Sequence, residues 1–440
     1  MGFISVYLFL IGLLSFFNAQ RYITLIIIGV LSTGYFGFAD MGFLLGSFSL
    51  QHGDLALLLI FVLLPFRTKF NENQLKGIRN ALVLFLLFLV VSILYDFILR
   101  GTTPMQIFRT TRKIGYLAFF FLINSFSWQD YQRFIKAILL LTVIHALLYI
   151  SQYVIGYSFN PNDVVENELG GARYGNSQIY IIPVLVISFF TLTKIKTNFL
   201  IIILLIIAIV LTQTRGAIIS AASVILLFLL LQNRIKLQTI IILSLLLIIG
   251  YNVTLNYFPI IGERFLQLNK EIKMVRNMDY NNLPAFYNQG SFIFRVGVTY
   301  DRFMYVLKEP VRIILGAGFM PDMDIAKPIF TVGTHSPSLP SGFEQYNSVD
   351  IFFPNIITRY GIVGSTIYLY FIYKLFIFSF KTRKMLWGKI LFTYLWSMVV
   401  ISFINETFYN GQYFIFIFIM IGLVLREKKK KIPDLITTTH

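Results

Sequence analysis

The chain has no cysteine, which excludes a disulfide framework, a thiolate nucleophile and a thiolate-bound metal. Histidine is nearly as scarce: His52, His145, His335 and His440 lie scattered, so a His-rich metal centre is disfavoured as well. Charge is thin, with 13% charged against 57% hydrophobic residues, a balance far outside that of soluble globular domains. No fixed period of roughly 20 to 50 residues recurs, which removes repeat architectures. The apolar and polar alternation of a membrane barrel is missing too.

What remains is a succession of Leu, Ile, Phe and Val runs, such as 82–94, 199–211 and 240–249, parted by short polar breaks. Such runs let a helix cross hydrocarbon with its backbone satisfied internally. The expected fold class is an all-α polytopic membrane protein with about 12 or 13 transmembrane helices and one large extracytoplasmic loop. Segment 2–17 is apolar, lacks a basic flank or a small-residue cleavage site, and reads as a retained helix. Counting it as a span, with others near 22–39 and 54–66, gives the larger number; leaving it at the interface gives the smaller.

A formal net charge of +17 would suit nucleic acid, but Lys and Arg mostly fill the breaks between spans, so they read as topology signals and no nucleic-acid partner is expected. Placing the basic tail 426–440 in the cytoplasm puts the break 381–389 inside and the block 258–350, the one long polar insert, outside. The breaks 233–236, 194–196, 128–133 and 67–79 then fall inside. Between two of them, 198–231 is too long for one crossing and fits a helical hairpin with its outer tip at Thr212-Gln213-Thr214-Arg215-Gly216. The domain reading is therefore transmembrane helices over 1–257, the large loop with short helices over 258–350, transmembrane helices over 351–425, and the tail. Two further outer loops are 151–176, which holds Arg173, and 96–113. The second breaks the charge rule, because Arg100, Arg109, Arg112 and Lys113 are disfavoured outside unless an anionic ligand compensates.

Within the insert, Phe292, Val296, Phe303 and Val306 fall at helical spacing with Arg295, Arg302 and Lys308 offset from the stripe, which predicts a helix on or near the membrane. Pro310 stops it. Leu315-Gly316-Ala317-Gly318 is then a glycine turn suited to close backbone approach.

These residues carry a family resemblance. Arg295, the stretch 300–307, Glu309-Pro310 and Leu315-Gly316-Ala317-Gly318 resemble the Arg, aromatic helix, acidic-Pro and Gly-x-Gly run in the outer loop of the O-antigen polymerase and ligase superfamily (Wzy and WaaL). The tip 212–216 resembles its Thr-x-Ser-Arg-Gly motif, with Thr214 in place of Ser. Asp350, ahead of Arg359-Tyr360-Gly361-Ile362-Val363-Gly364, resembles the superfamily's polar residue before a Gly-x-x-Gly that opens the next span. Arg173-Tyr174-Gly175-Asn176 resembles a loop before an earlier span. The likeness covers residues 170 to 370 in motif order. Ligases carry His followed by Asn, Ser or Gln at the polar position; Asp350 departs from that and favours the polymerase branch.

The resemblance implies a GT-C type glycosyltransferase of the bacterial inner membrane, active at the periplasmic face, that polymerises undecaprenyl-diphosphate-linked repeat units into O-antigen or capsular polysaccharide. It implies no metal and no cofactor, a lipid-linked oligosaccharide as both donor and acceptor, membrane lipids around the chain, and a chain-length regulator as partner. Negative charge builds on the departing diphosphate, and Arg answers it with a permanently charged, bidentate fork. Arg215 and Arg295 are accordingly the expected clamp, with Arg173, Arg109 and Arg112 as further diphosphate contacts. For a base on the acceptor hydroxyl the order is Asp350, Glu344, His335. Asp350 also reads as a plain helix N-cap and His335 as plain loop. Tyr287, Tyr300, Tyr305 and Tyr346 are candidates for stacking on sugars, although most tyrosines read as interface anchors. The rivals are a ligase delivering glycan to lipid A core or protein, and a lipid-linked oligosaccharide flippase, whose charged residues belong near the bilayer midplane.

Overall fold

Apolar runs with no water to satisfy their backbone have one local solution, the helix, and helices dominate the described residues. The computed structural model describes residues 2–33, 43–45, 48–68, 73–156, 164–166, 172–174, 178–191, 196–212, 215–231, 270–275, 291–335, 339–345, 352–403, 408 and 410–436. In chain order the helices are α1 (Gly2–Phe17), α2 (Arg21–Ser32), α3 (His52–Leu63), α4 (Lys76–Leu99), α5 (Pro104–Gly115), α6 (Trp128–Ile155), α7 (Gln178–Thr191), α8 (Lys196–Leu211), α9 (Arg215–Leu231), α10 (Ser291–Leu307), α11 (Pro310–Leu315), α12 (Phe352–Thr382), α13 (Leu386–Ser402) and α14 (Gln412–Ile436). A 3-10 segment, Tyr116–Ser125, joins α5 to α6. Three short antiparallel strand pairs accompany them: β1 (Phe43–Leu45) with β2 (Phe48–Leu50), β3 (Val164–Glu166) with β4 (Ala172–Tyr174), and β5 (Thr334–His335) with β6 (Phe343–Glu344).

The helices α4, α6 and α12 are each long and apolar enough to cross a membrane, and shorter apolar helices pack around them. The chain is an all-α polytopic membrane protein. Its surface explains why it needs hydrocarbon: on α4, Leu84, Leu87, Val91, Leu94 and Ile98 are exposed, while Ile78, Leu82, Phe85, Leu89, Ser92 and Asp96 are buried. Both sets recur at helical steps on opposite faces, so one stripe faces lipid and the other the bundle. The bundle stripe packs on α12. There Phe85 meets Tyr360 edge-on at 5.6 Å, and a Cβ on Gly364 would run into the Phe88 ring, so glycine at that position lets the two helices close up.

Contacts sort the loops to two ends. At one, Arg21 Nη1 donates to Ser125 O at 2.6 Å, the Thr68 amide donates to Ser125 Oγ at 3.1 Å, and Arg426 Nη2 donates to the Asn124 and Phe126 carbonyls, each at 3.1 Å. Glu427 accepts from the Leu386 and Trp387 amides at the same tail. Thr68, Leu386, Trp387 and Arg426 belong to breaks that the charge pattern assigns to a single side, and Arg21 joins them there. The opposite end gathers the C-terminal end of α4, helix α5 and the insert. At the start of the chain, α1 packs on α2 and α3, and Ser5 Oγ shares a hydrogen bond of 2.6 Å with His52 Nδ1.

Local details depart from the sequence reading at four places. Pro310 does not merely stop α10; it occupies the first turn of α11, where its missing N–H leaves no partner unsatisfied. Arg302 is not offset from the packed face but is 2% exposed. Residues 96–113 are largely helix: Thr103 and Gln106 form a capping box that starts α5 at Pro104. Finally, α12 is broken at Gly361, whose φ of 67° and ψ of −174° are not helical. A Cβ there would lie 2.5 Å from Ile313 O, so the break brings α11 against the backbone of α12.

Candidate functional site

The glycine turn after α11 is bonded to three other elements of the chain. Gly316 has φ of 72° and Gly318 of 92°, left-handed conformations that glycine adopts at little cost. The Ala317 amide donates to Thr358 O at 2.6 Å. Gly316 O accepts from Arg100 Nη2 at 2.8 Å, and the Phe319 amide donates to Asp96 Oδ2 at 2.6 Å. Arg359 Nη1 donates to Gly318 O at 3.1 Å and Met320 O at 2.8 Å, and the Thr110 hydroxyl reaches Phe319 O at 2.5 Å. Asp96, on α4, and Arg100, the residue that caps that helix, are themselves an ion pair at 2.8 Å, one turn apart. Three elements, α4, α5 and α12, therefore meet on five consecutive residues of the insert. The two motifs 315–318 and 359–364, separate in sequence, are one structure.

A second knot lies along the insert. Arg302 pairs with Asp301 at 2.9 Å, donates to Gln345 O at 2.7 Å and stacks 3.8 Å from the Phe330 ring centre. Asp301 Oδ2 accepts from the Thr331 and Val332 amides, and Gln345 Oε1 from those of Ile329 and Phe330. A buried guanidinium is tolerated because pairing and hydrogen bonds compensate its desolvation. The network ties α10 to the loop that leads through β5 and β6, and so to the chain just before residue 350.

The residues singled out from the sequence are distributed as follows. Arg215 opens α9; its side chain lies outside the described residues. Just before it, Thr212 is buried, and Tyr153 and Tyr149 on α6 donate to Leu211 O at 2.6 and 3.4 Å, capping the end of α8. Arg295 is half-buried on α10, which packs on α12. Glu344 pairs in β6 opposite Thr334, His335 in β5 opposite Phe343, and Arg173 in β4 opposite Val165. Asp350, Tyr287 and Tyr346 lie outside the described residues. Arg109 is exposed on α5. Arg112 has a protein counterion, Asp54, at 3.2 Å, and Asp54 also accepts from the Gln51 amide at 2.8 Å in a capping box. Tyr305 is packed: Arg312 lies 4.1 Å over its ring, Phe330 meets it at 4.8 Å, and burial pushes its hydroxyl pKa up.

Asp96, Asp54 and Arg302 were not singled out as site residues. For Asp96 a signal exists, since it is the one acid in α4 and falls on the same helical stripe as Phe85 and Leu89. Asp54 and Arg302 owe their roles to partners distant in sequence.

No curated protein matches the chain. Residues 200–369 match the family model described as O-Antigen ligase. That interval contains the hairpin tip, the glycine turn and the Gly361 break, while Asp96, Arg100 and Arg112 fall before it. The match implies an enzyme of glycosyltransferase or ligase type, and it supports placing this chain in the O-antigen polymerase and ligase superfamily.

Proposed function

We propose that the protein is a repeat-unit polymerase that transfers a growing glycan from undecaprenyl diphosphate to the next lipid-linked unit. In this reading the end of the bundle that carries Asp96 and the insert faces the periplasm across the bacterial inner membrane. An acceptor hydroxyl oxygen attacks the anomeric carbon, and the carbon–oxygen bond to the diphosphate breaks. The diphosphate leaves with the electron pair, and the hydroxyl proton passes to Asp350. Arg215 and Arg295 hold the developing diphosphate charge, and Arg109 meets the second lipid diphosphate. Metal and cofactor have no part in the step. The observation that carries the reading is the family match over 200–369, whose glycine turn is seated beside the cationic segment that holds Arg100 and, on α5, Arg109 and Arg112. Asp350, where ligases of the superfamily resemble one another in carrying His, supports polymerase over ligase.

The test is incubation of the purified protein with undecaprenyl-diphosphate-linked repeat units, read as a ladder on a gel. Arg215→Ala and Arg295→Ala are each expected to cut turnover about 100-fold or more, and Asp350→Asn at least about 10-fold. Ladders that persist in both Arg variants dispose of the clamp. The ligase reading has the matched family on its side, since that family is described as O-Antigen ligase. Product that forms only when lipid A core is supplied as acceptor would establish it instead.

A further inference from the structure

We propose that Asp96 is a positioning residue for this transfer, whose carboxylate seats the arm of the insert that leads back to Arg295. The inference rests on the function proposed above and extends it to α4, which lies outside the matched interval.

The geometry is specific. Asp96 has one oxygen on the Phe319 amide at 2.6 Å and the other on Arg100 Nη1 at 2.8 Å, while the second arm of the same guanidinium reaches Gly316 O at 2.8 Å. The pair grips both sides of the turn. The Asp96 side chain is 2% exposed, so its bonds form where water competes poorly. No longer side chain fits the turn beneath it, because a Cβ on Gly318 would run into the Asp96 carboxylate. A carboxylate at the end of an apolar span is costly unless a partner repays it, and here the partner is the insert itself. From the turn the connection is short. Helix α11 leads back through residues 308 and 309 to α10, which carries Arg295, and both helices lie on α12. A loosened turn displaces the arm as a unit, and displacement of a charge-stabilising group by about 1 Å costs up to roughly 100-fold in rate.

The experiment compares the full-length parent, Asp96→Ala, Asp96→Asn and Arg100→Lys in lipid nanodiscs, with undecaprenyl-diphosphate-linked repeat unit as the probe. Steady-state rates per folded molecule are read beside hydrogen exchange over residues 315–320. Asp96→Ala is expected to lower kcat roughly 10- to 100-fold, leave KM within about twofold, and speed exchange at the Phe319 amide. Asp96→Asn keeps an acceptor for that amide but loses the charge facing Arg100, so it falls between parent and Ala. Arg100→Lys keeps charge but not the fork and does the same. Unchanged kcat per folded molecule, with only a lower yield or unfolding temperature, overturns the proposal. Unchanged exchange in Asp96→Ala overturns it whatever the activity. If the parent makes no product while Asp96→Ala speeds exchange, the seat stands and the polymerase reading falls. Should Asp96→Ala fail to fold, the Asn and Lys variants carry the same comparison.

Discussion

A left-handed backbone beside a neighbouring carbonyl leaves no room for a side chain, and Gly316 has both constraints: φ of 72° and a virtual Cβ 2.5 Å from Thr358 O. Gly316→Ala is expected to cost roughly 2 to 4 kcal/mol of unfolding free energy, measured by denaturant titration in detergent. Arg302 answers to a different rule. Truncating it to Ala strips a buried partner from Asp301, Gln345 O and the Phe330 ring, and should cost about 3 kcal/mol in the same titration. Glycines of this kind were readable from the sequence because φ preference is a property of the residue itself. The burial of Arg302 was not, since Phe330 and Gln345 lie far along the chain and helical spacing around 302 suggests an outward-facing charge.

Helices built from apolar runs largely appear where the runs do: the hairpin falls on α8 and α9, and the insert helix on α10. Their terminations are harder to read, because they depend on partners from other helices. The end of α8 is an example, closed by two tyrosine hydroxyls of α6 on Leu211 O. Tyr153→Phe removes one such bond, worth about 1 kcal/mol, and, on the function proposed for this chain, is expected to lower transfer a few-fold by loosening the tip before Arg215. Equal rates for parent and variant at matched folded fraction would deny the tip that dependence. The Gly361 break was likewise hidden: a Gly-x-x-Gly pair reads equally well as close helix packing, which is what Gly364 does, and as an interrupted helix, which is what Gly361 does.

Across the molecule, contacts bring Arg21, Thr68, Ser125 and Arg426 to one end. The cationic loop at the other end violated the charge rule on sequence grounds, and the structure supplies a physical reason for its tolerance. Arg100 pairs with Asp96, one turn earlier in the same segment, and Arg112 with Asp54 on α3, so part of that charge is met by carboxylates of the protein itself. Side assignment is testable in a chain free of cysteine. A membrane-impermeant maleimide added to intact cells is expected to label Met323→Cys, while Lys384→Cys reacts only after permeabilisation; labelling of both from one side would refute the topology. Arg215 and Asp350 stand on motif order alone, since side-chain placement around a hairpin tip and before a span is decided by loops whose sequence follows no period.

The seat of the insert reads main chain. Its acceptors and donors on the turn are Gly316 O, Ala317 N, Gly318 O, Phe319 N, Phe319 O and Met320 O. Apart from the two glycines, nothing in that set of bonds depends on which side chains the turn carries. The mounting and the cargo are thereby uncoupled: the exposed Met323 and Lys327 just beyond the turn can be exchanged without touching an atom of the mount. A scaffold of this kind permits the exposed surface beyond the turn to be re-specified by substitution, or a foreign loop to be grafted between its fixed points, while the anchorage to the helical bundle is inherited unchanged.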